Sequence, residues 1–265
     1  MTIAVAGSAQ AQTAQPAPAG SQDAADLAKK LSNPVADLVS VPFQFNWAQP
    51  VGPDGDTRFI LNVQPVMPFS VSENWNMIAR IIVPFVGQPP LAAGGVAASG
   101  IGDVLTSFFF SPKSSPVVWG VGPVLSLPST SERTLGTGKW SAGPTLVILK
   151  QQGRLTYGAL VNQVWSFAGN DTRSDVSQFF LQPFLAYTTP AAVTLSVNSE
   201  MVFNWEADSG RRATIPINLA VSKVATFGVF PASYQVGAGF FVETPDGRPD
   251  WQLRATITLM MPKRQ

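Results

Sequence analysis

The chain has 265 residues, of which 45% are hydrophobic and 12% charged, and its formal net charge is +1. A soluble domain carries about 25% charged residues, so much of this surface is not built to face water, and the near-neutral balance gives nucleic-acid binding no electrostatic footing. The chain contains no cysteine and no histidine, which removes disulfides, thiolate catalysis, zinc–cysteine sites and every histidine-based mechanism.

Residues 1–11 read as a signal-peptide remnant. Ala4, Val5 and Ala6 are apolar, and Ala9-Gln10-Ala11 forms an A-x-A cleavage site before Gln12. Residues 12–37 form an N-terminal periplasmic segment, Ala/Gln/Pro-rich at first. The spacing predicts a short helix over Asp23–Leu31, with Ser21 as N-cap and Asn33-Pro34 as the stop. This segment is expected either to plug the barrel mouth or to serve as a mobile linker.

From residue 38 to 265 about twelve segments of about ten to thirteen residues alternate apolar with polar, the length and pattern of membrane-crossing strands. They run Leu38–Trp47, Thr57–Ser70, Asn74–Phe85, Gly100–Ser111, Pro116–Leu127 and Trp140–Lys150 in the first half. The second half gives Leu155–Phe167, Ser177–Thr189, Ala192–Trp205, Ala213–Lys223, Phe230–Val242 and Trp251–Met261. Short turns at Ser72-Glu73, Lys113-Ser114, Gln152-Gly153, Thr189-Pro190 and Phe227-Gly228 alternate with long loops at 48–56, 87–99, 129–139, 169–176, 206–212 and 243–250. No segment reaches the roughly eighteen uninterrupted apolar residues of a membrane helix. Lipid accepts only helices or closed sheets. The expected fold is therefore all-β: a transmembrane antiparallel up-and-down β-barrel of about twelve strands with a short N-terminal helix. Short periplasmic turns and long extracellular loops would put both termini in the periplasm of a Gram-negative bacterium.

Period two assigns faces. In the last strand Trp251, Leu253, Ala255, Ile257, Leu259 and Met261 oppose Gln252, Arg254, Thr256 and Thr258. By the same parity Trp47, Trp140, Trp165, Trp205 and Trp251 fall on apolar faces at long-loop ends, and Trp75 and Trp119 at short-turn ends. That is the layout of two aromatic girdles. Pro65, Pro144, Pro183 and Pro216 lie within strands and should mark bulges or kinks.

The inward charges are Arg80, Asp103, Glu200 and Arg254. Arg80 and Asp103 are expected as a pair on adjacent strands, and Glu200 at the height of Asn218. These lumen-lining candidates would set permeant selectivity or merely rigidify a polar interior. Phe110, Phe180 and Phe184 are expected to have mixed or inward faces and to fill part of the lumen. Gly136-Thr137-Gly138-Lys139 mimics a phosphate loop, but Arg133 stands at the first glycine position and a strand follows, so it is read as a loop tip. Asp54-Gly55-Asp56 lacks the other ligands of a calcium loop and reads as a hairpin turn. No metal site and no cofactor is expected.

Several stretches together resemble a known family. They are Leu27-Ala28-Lys29-Lys30 through Asn33-Pro34 to Val41-Pro42-Phe43-Gln44, Gly100-Ile101-Gly102-Asp103, Trp119-Gly120-Val121-Gly122-Pro123 and Leu135-Gly136-Thr137-Gly138-Lys139-Trp140. Trp165-Ser166-Phe167-Ala168-Gly169, Asn204-Trp205-Glu206-Ala207 and Trp251-Gln252-Leu253-Arg254 complete the set. In order and spacing they resemble the outer-membrane transporter family related to the MetA-pathway of phenol degradation proteins, over residues 25–263. The resemblance implies an outer-membrane barrel linked to uptake of organic, often aromatic, compounds, and no catalytic residues. The end at Met261-Pro262-Lys263-Arg264-Gln265 departs from the terminal aromatic of many such barrels.

The expected function is an outer-membrane channel or transporter for small molecules, hydrophobic or aromatic ones included, and not an enzyme. Two alternatives stand beside it: a filled structural barrel that binds through its loops, and a carboxylate-dependent barrel enzyme. The omptin proteases, outer-membrane phospholipases and lipid A deacylases all use histidine, so their mechanisms are closed to this chain. Expected partners are outer-membrane lipids, an unspecified small-molecule permeant and the barrel-assembly machinery, and no nucleic acid.

Overall fold

The computed structural model describes residues 19–227, 230–245 and 249–261. The signal-peptide remnant expected at 1–11, the residues after Met261, Gly228 of one short turn and 246–248 of the last loop lie outside the described residues.

The chain forms a closed antiparallel barrel of 12 strands. These are β1 (Val39–Val51), β2 (Asp56–Val63 and Val66–Ser70), β3 (Trp75–Gln88), β4 (Ala98–Ile101 and Val104–Pro112), β5 (Val118–Leu127) and β6 (Lys139–Gln152). They continue as β7 (Leu155–Gly169), β8 (Ser177–Thr188), β9 (Val193–Asn198 and Met201–Asn204), β10 (Ala213–Phe227), β11 (Phe230–Glu243) and β12 (Trp251–Met261). Each strand pairs with its sequence neighbours, and β12 closes on β1 from Val39↔Met261 to Gln49↔Trp251. Closure leaves no unpaired edge, which a lipid-spanning sheet requires.

Alternation turns the apolar set outward. Trp47, Trp75, Trp140, Trp165, Trp205 and Trp251 are exposed on the outer face and Trp119 is half-buried there, against Trp75 with ring centroids 5.7 Å apart. At the long-loop end Trp47 packs on Phe59 and Trp205 stacks on Phe203. Leu219, Leu195, Val236 and Leu253 are about half exposed on the same outer surface, whereas Thr256, Thr258, Asn218 and Gln252 are buried inside. Such an apolar band is stable only against lipid.

One expected loop is not a loop. Residues 48–56 were expected to bridge β1 and β2, but β1 continues to Val51 and β2 begins at Asp56. The turn is made by Gly52 and Gly55, whose φ values of 73° and 70° suit glycine. The strand prolines act differently from one another. Pro65 lies in the break in β2, and Pro216 sits at a register shift against β11. Pro144 leaves a pairing gap in the β6–β7 ladder without changing its register. Pro183 pairs with Ala159, and its carbonyl accepts from Ser199 N–H.

The helix α1 (Ala19–Leu31) starts before the expected Asp23, so Ser21 lies inside it rather than capping it. Ala24, Leu27, Ala28 and Leu31 recur at helical spacing and pack on Leu38, Ala192, Val224 and Met260. Those four sit at the short-turn ends of the strands, so α1 lies against that mouth of the barrel. The helix ends before Asn33, whose side-chain oxygen accepts from Val35 N–H at 3.0 Å. Gln151 fixes α1 from the wall by donating to Lys29 O at 2.9 Å.

Candidate functional site: a polar belt across the lumen

The inward side chains of β1, β2, β3, β8, β9 and β12 join in one hydrogen-bonded belt. Arg80 Nη2 donates to Gln64 Oε1 at 2.7 Å, Gln64 Nε2 to Gln44 Oε1 at 3.2 Å, and Gln44 Nε2 to Asn46 Oδ1 at 3.2 Å. Arg254 Nε donates to the same Asn46 oxygen at 2.7 Å. Its outer nitrogens grip Glu200 as a fork, Nη1 to Oε1 at 2.9 Å and Nη2 to Oε2 at 2.7 Å. Gln182 adds a longer bond to Glu200 Oε1 at 3.4 Å.

Local sequence makes this reach possible. Glu200 is on β9 and Arg254 on β12, so the pair must span β10 and β11. The β11 residue opposite Arg254 is Gly237, which offers no side chain. Two residues along, Gly239 lets Gln252 Nε2 donate to Asn218 Oδ1 at 2.7 Å, and Asn218 in turn donates to Asn198 at 3.0 Å. Planar bidentate pairing is the arrangement arginine and carboxylate favour.

The belt separates two cavities, each of about 290 Å³. One lies toward α1 and is lined by Leu31, Ala36, Val66, Arg80, Phe184 and Thr258 among others. The other lies toward the long loops, with Arg58, Asn62, Val202 and Phe241 in its wall. Gln44 borders both. Beside them the lumen is filled: Val35, Ile78, Phe109, Val147, Leu149 and Leu160 form a buried cluster, with Phe180 and Phe184 packed on it.

The structure brings together three of the expected lumen residues, Arg80, Glu200 and Arg254, in this belt. Two expected neighbourhoods are corrected. Arg80 does not pair with Asp103, because it stands opposite Ser107 in the β3–β4 register, four residues further down the strand. At about 3.3 Å per residue that is roughly 13 Å. Asp103 instead sits at the break in β4, where its Oδ2 accepts from Thr137 N–H at 2.6 Å and from Thr137 Oγ1 at 2.7 Å. Asn218 is level with Asn198 rather than Glu200. Of the three phenylalanines, Phe180 and Phe184 do face inward, but Phe110 is exposed on the outer face and Phe109 is the buried one. Gln44, Asn46 and Gln182 were not singled out from sequence, and Gln64 was placed only on the polar face of its strand. Their even-numbered alternation with apolar neighbours carried the signal.

Above the belt the long loops lock together. The phosphate-loop mimic was expected at a loop tip; instead Gly136-Thr137-Gly138 is the final stretch of the loop, running into β6 at Lys139. Its Thr137 seals Asp103, and Arg173 of the next loop donates to the carbonyls of Thr137 and Gly136. Gly136 is needed there, since a Cβ would stand 2.4 Å from Asp103 Oδ1. Lys139 Nζ lies 3.1 Å from Asp175 Oδ1. That hydrogen bond, a second from Ser166 and the lysine's charge hold the exposed Asp175 carboxyl below its usual range.

Two solved structures follow the same chain path. An outer membrane channel from Pseudomonas putida F1 superposes with a TM-score of 0.65 at 12% identity, covering 85% of this chain and 96% of that one. The NanC porin gives 0.55 at 8% identity, covering 85% and 100%. The chain has an outer-membrane barrel fold. At these identities the likeness fixes the fold and transfers no residue's role. No protein-family model matches the sequence, and neither does any curated protein.

Proposed function

We propose that this protein is an outer-membrane channel for small molecules, oriented with α1 and the short turns in the periplasm. The carrying observation is the pair of lumen cavities that meet at the Arg254–Glu200 belt. A solute has somewhere to reside on each side, and a hydrogen-bonded barrier that side-chain motion opens lies between. The tryptophans then rest at the two membrane interfaces, outer-membrane lipid covers the apolar band, and the barrel-assembly machinery inserts the chain. The inward residues Arg80, Glu200, Asn218 and Arg254 line the route, while Asp103 anchors the loop over its outer mouth. Gly102-Asp103 and Gly136-Thr137, from two stretches of the MetA-pathway resemblance, meet in that anchor. The proposal of organic, aromatic solutes rests on that resemblance.

The apolar cluster favours a second reading, a filled barrel acting through its loops. Single-channel recording in planar bilayers separates the two. The channel reading expects small, steady conductance from the full chain, rising when residues before Leu38 are removed or when Glu200→Gln loosens the belt. Silence in all three proteins would overturn it in favour of the filled barrel.

A further inference from the structure

The cavity between α1 and the belt has a one-sided charge. Its lining includes two ionisable side chains, Arg80 and Lys30, both cations, and no carboxylate borders it among the described residues. Arg80 comes from β3 and is held by Gln64, a neutral acceptor, at 2.7 Å. Glu200, which could neutralise it, is already engaged by both outer nitrogens of Arg254. Among the described residues Arg80 therefore has no ion pair. A guanidinium carries five N–H donors, and Gln64 uses one. The belt as a whole holds two cations and one anion, and Glu200, gripped by Arg254, attracts Arg80 only from beyond contact distance. A half-buried guanidinium with unused donors and no contact ion pair is a favourable place for an anion.

The rest of the wall says what kind of anion fits. Phe184, Val66 and Leu31 offer an apolar surface, and Ser196, Ser222 and Thr258 carry hydroxyls. The Thr256 hydroxyl at the same wall is buried without a hydrogen-bond partner. The volume of about 290 Å³ lies at the lower bound of small-molecule pockets, which begin at about 300 Å³. A bare inorganic anion would leave the apolar wall unused, and a neutral hydrocarbon would leave Arg80 unpaired.

We propose that this cavity is a binding site for a small organic monocarboxylate of about one ring in size. Its carboxylate rests on Arg80, and its apolar body lies against Phe184 and Val66. The inference deepens the channel reading by naming the class of solute held in the lumen. An arginine fork is suited to a planar carboxylate, and a cavity whose ionisable lining is cationic biases passage toward anions.

The test is calorimetric titration of the detergent-solubilised full chain with three isosteres: benzoate, benzyl alcohol and benzylammonium. Benzoate should bind at least tenfold more tightly than the other two. Arg80→Gln should weaken benzoate at least tenfold and leave benzyl alcohol unchanged. Arg80→Lys should recover part of the loss, and Phe184→Ala should weaken benzoate and benzyl alcohol together. Heat-modifiable migration on gels confirms that each variant is folded. Equal binding of benzoate and benzyl alcohol, or benzoate binding unaffected in a folded Arg80→Gln protein, would overturn the site. Binding is read without conduction, so a protein that binds benzoate in silent bilayers removes the channel and keeps the site. A conducting protein that ignores benzoate does the reverse.

Discussion

Along β12, β1 and β2 the inward side chains are Gln252, Arg254, Asn46, Gln44 and Gln64. From β3 round to β7 the large inward side chains besides Arg80 are Ile78, Phe109, Val124, Val147, Leu149 and Leu160, all nearly inaccessible, with small buried hydroxyls such as Ser107, Thr145 and Thr156 between them. One barrel thus carries two inner walls of opposite chemistry. The apolar wall packs against itself and fills its side of the bore. The polar wall cannot pack dry, because each buried donor and acceptor needs a partner, and it retains cavities. The difference teaches where a route through this barrel must run: along the polar wall, with the apolar wall as its rigid back.

Four substitutions break or sharpen that contrast. Phe109→Ala should have the largest effect, a loss of about 3–5 kcal/mol from a buried aromatic. The void it opens in the apolar wall should raise conductance if that wall is what narrows the bore. Urea unfolding in vesicles, followed by tryptophan fluorescence, reads the first effect, and bilayer recording reads the second. Arg254→Ala comes next, at about 3 kcal/mol, toward the low end for a broken buried pair because Glu200 keeps 25% side-chain exposure. Replacing both partners, with Arg254→Met and Glu200→Leu, should recover most of the stability. A double variant as unstable as the single would show that the polar wall does not depend on this pair's charge balance.

Gly239→Ala should cost about 1–2 kcal/mol, as overpacking does. Its Cβ would stand 2.2 Å from Asn218 Oδ1 and push apart the Asn218–Gln252 bond. An alanine tolerated at full stability would mean the polar wall shifts freely. The smallest effect belongs to neither wall. Asp175→Asn in the outer loops weakens an ion pair whose carboxylate is largely exposed although its Lys139 partner is buried, and solvent at the carboxylate keeps its worth small. The folded-state pKa of Asp175 is depressed, so its contribution is present above the unfolded value of about 3.9. It disappears as pH falls through the lower, folded value. The difference in melting temperature between wild type and Asp175→Asn should therefore shrink between pH 7 and pH 3. A difference that grows on acidification would contradict the sign.

How far the sequence could be read differed between the walls for a physical reason. On the polar wall alternation is complete. Gln252, Arg254, Thr256 and Thr258 interleave with Leu253, Ala255, Ile257 and Leu259, so face and content are both visible. On the apolar wall Leu146-Val147-Ile148-Leu149 is apolar on both faces: Leu146 and Ile148 meet lipid, while Val147 and Leu149 are buried inside. Without a polar partner, period two marks no inside, and the filled half of the lumen was hidden. Phe108-Phe109-Phe110 hid its inward member in the same way.

Barrel class, strand number, most turn positions and the outward tryptophans follow from the sequence by itself, since length and alternation are local properties of a strand. Which inward groups meet was decided only in the closed barrel. The break at Gly102-Asp103 and the reach of β3 to Gln88 set heights along the wall, parting Arg80 from Asp103. The missing side chain at Gly237 brings Arg254 to Glu200 across two strands. Those contacts depend on register and on the far side of the bore, and neither quantity is written in any one segment.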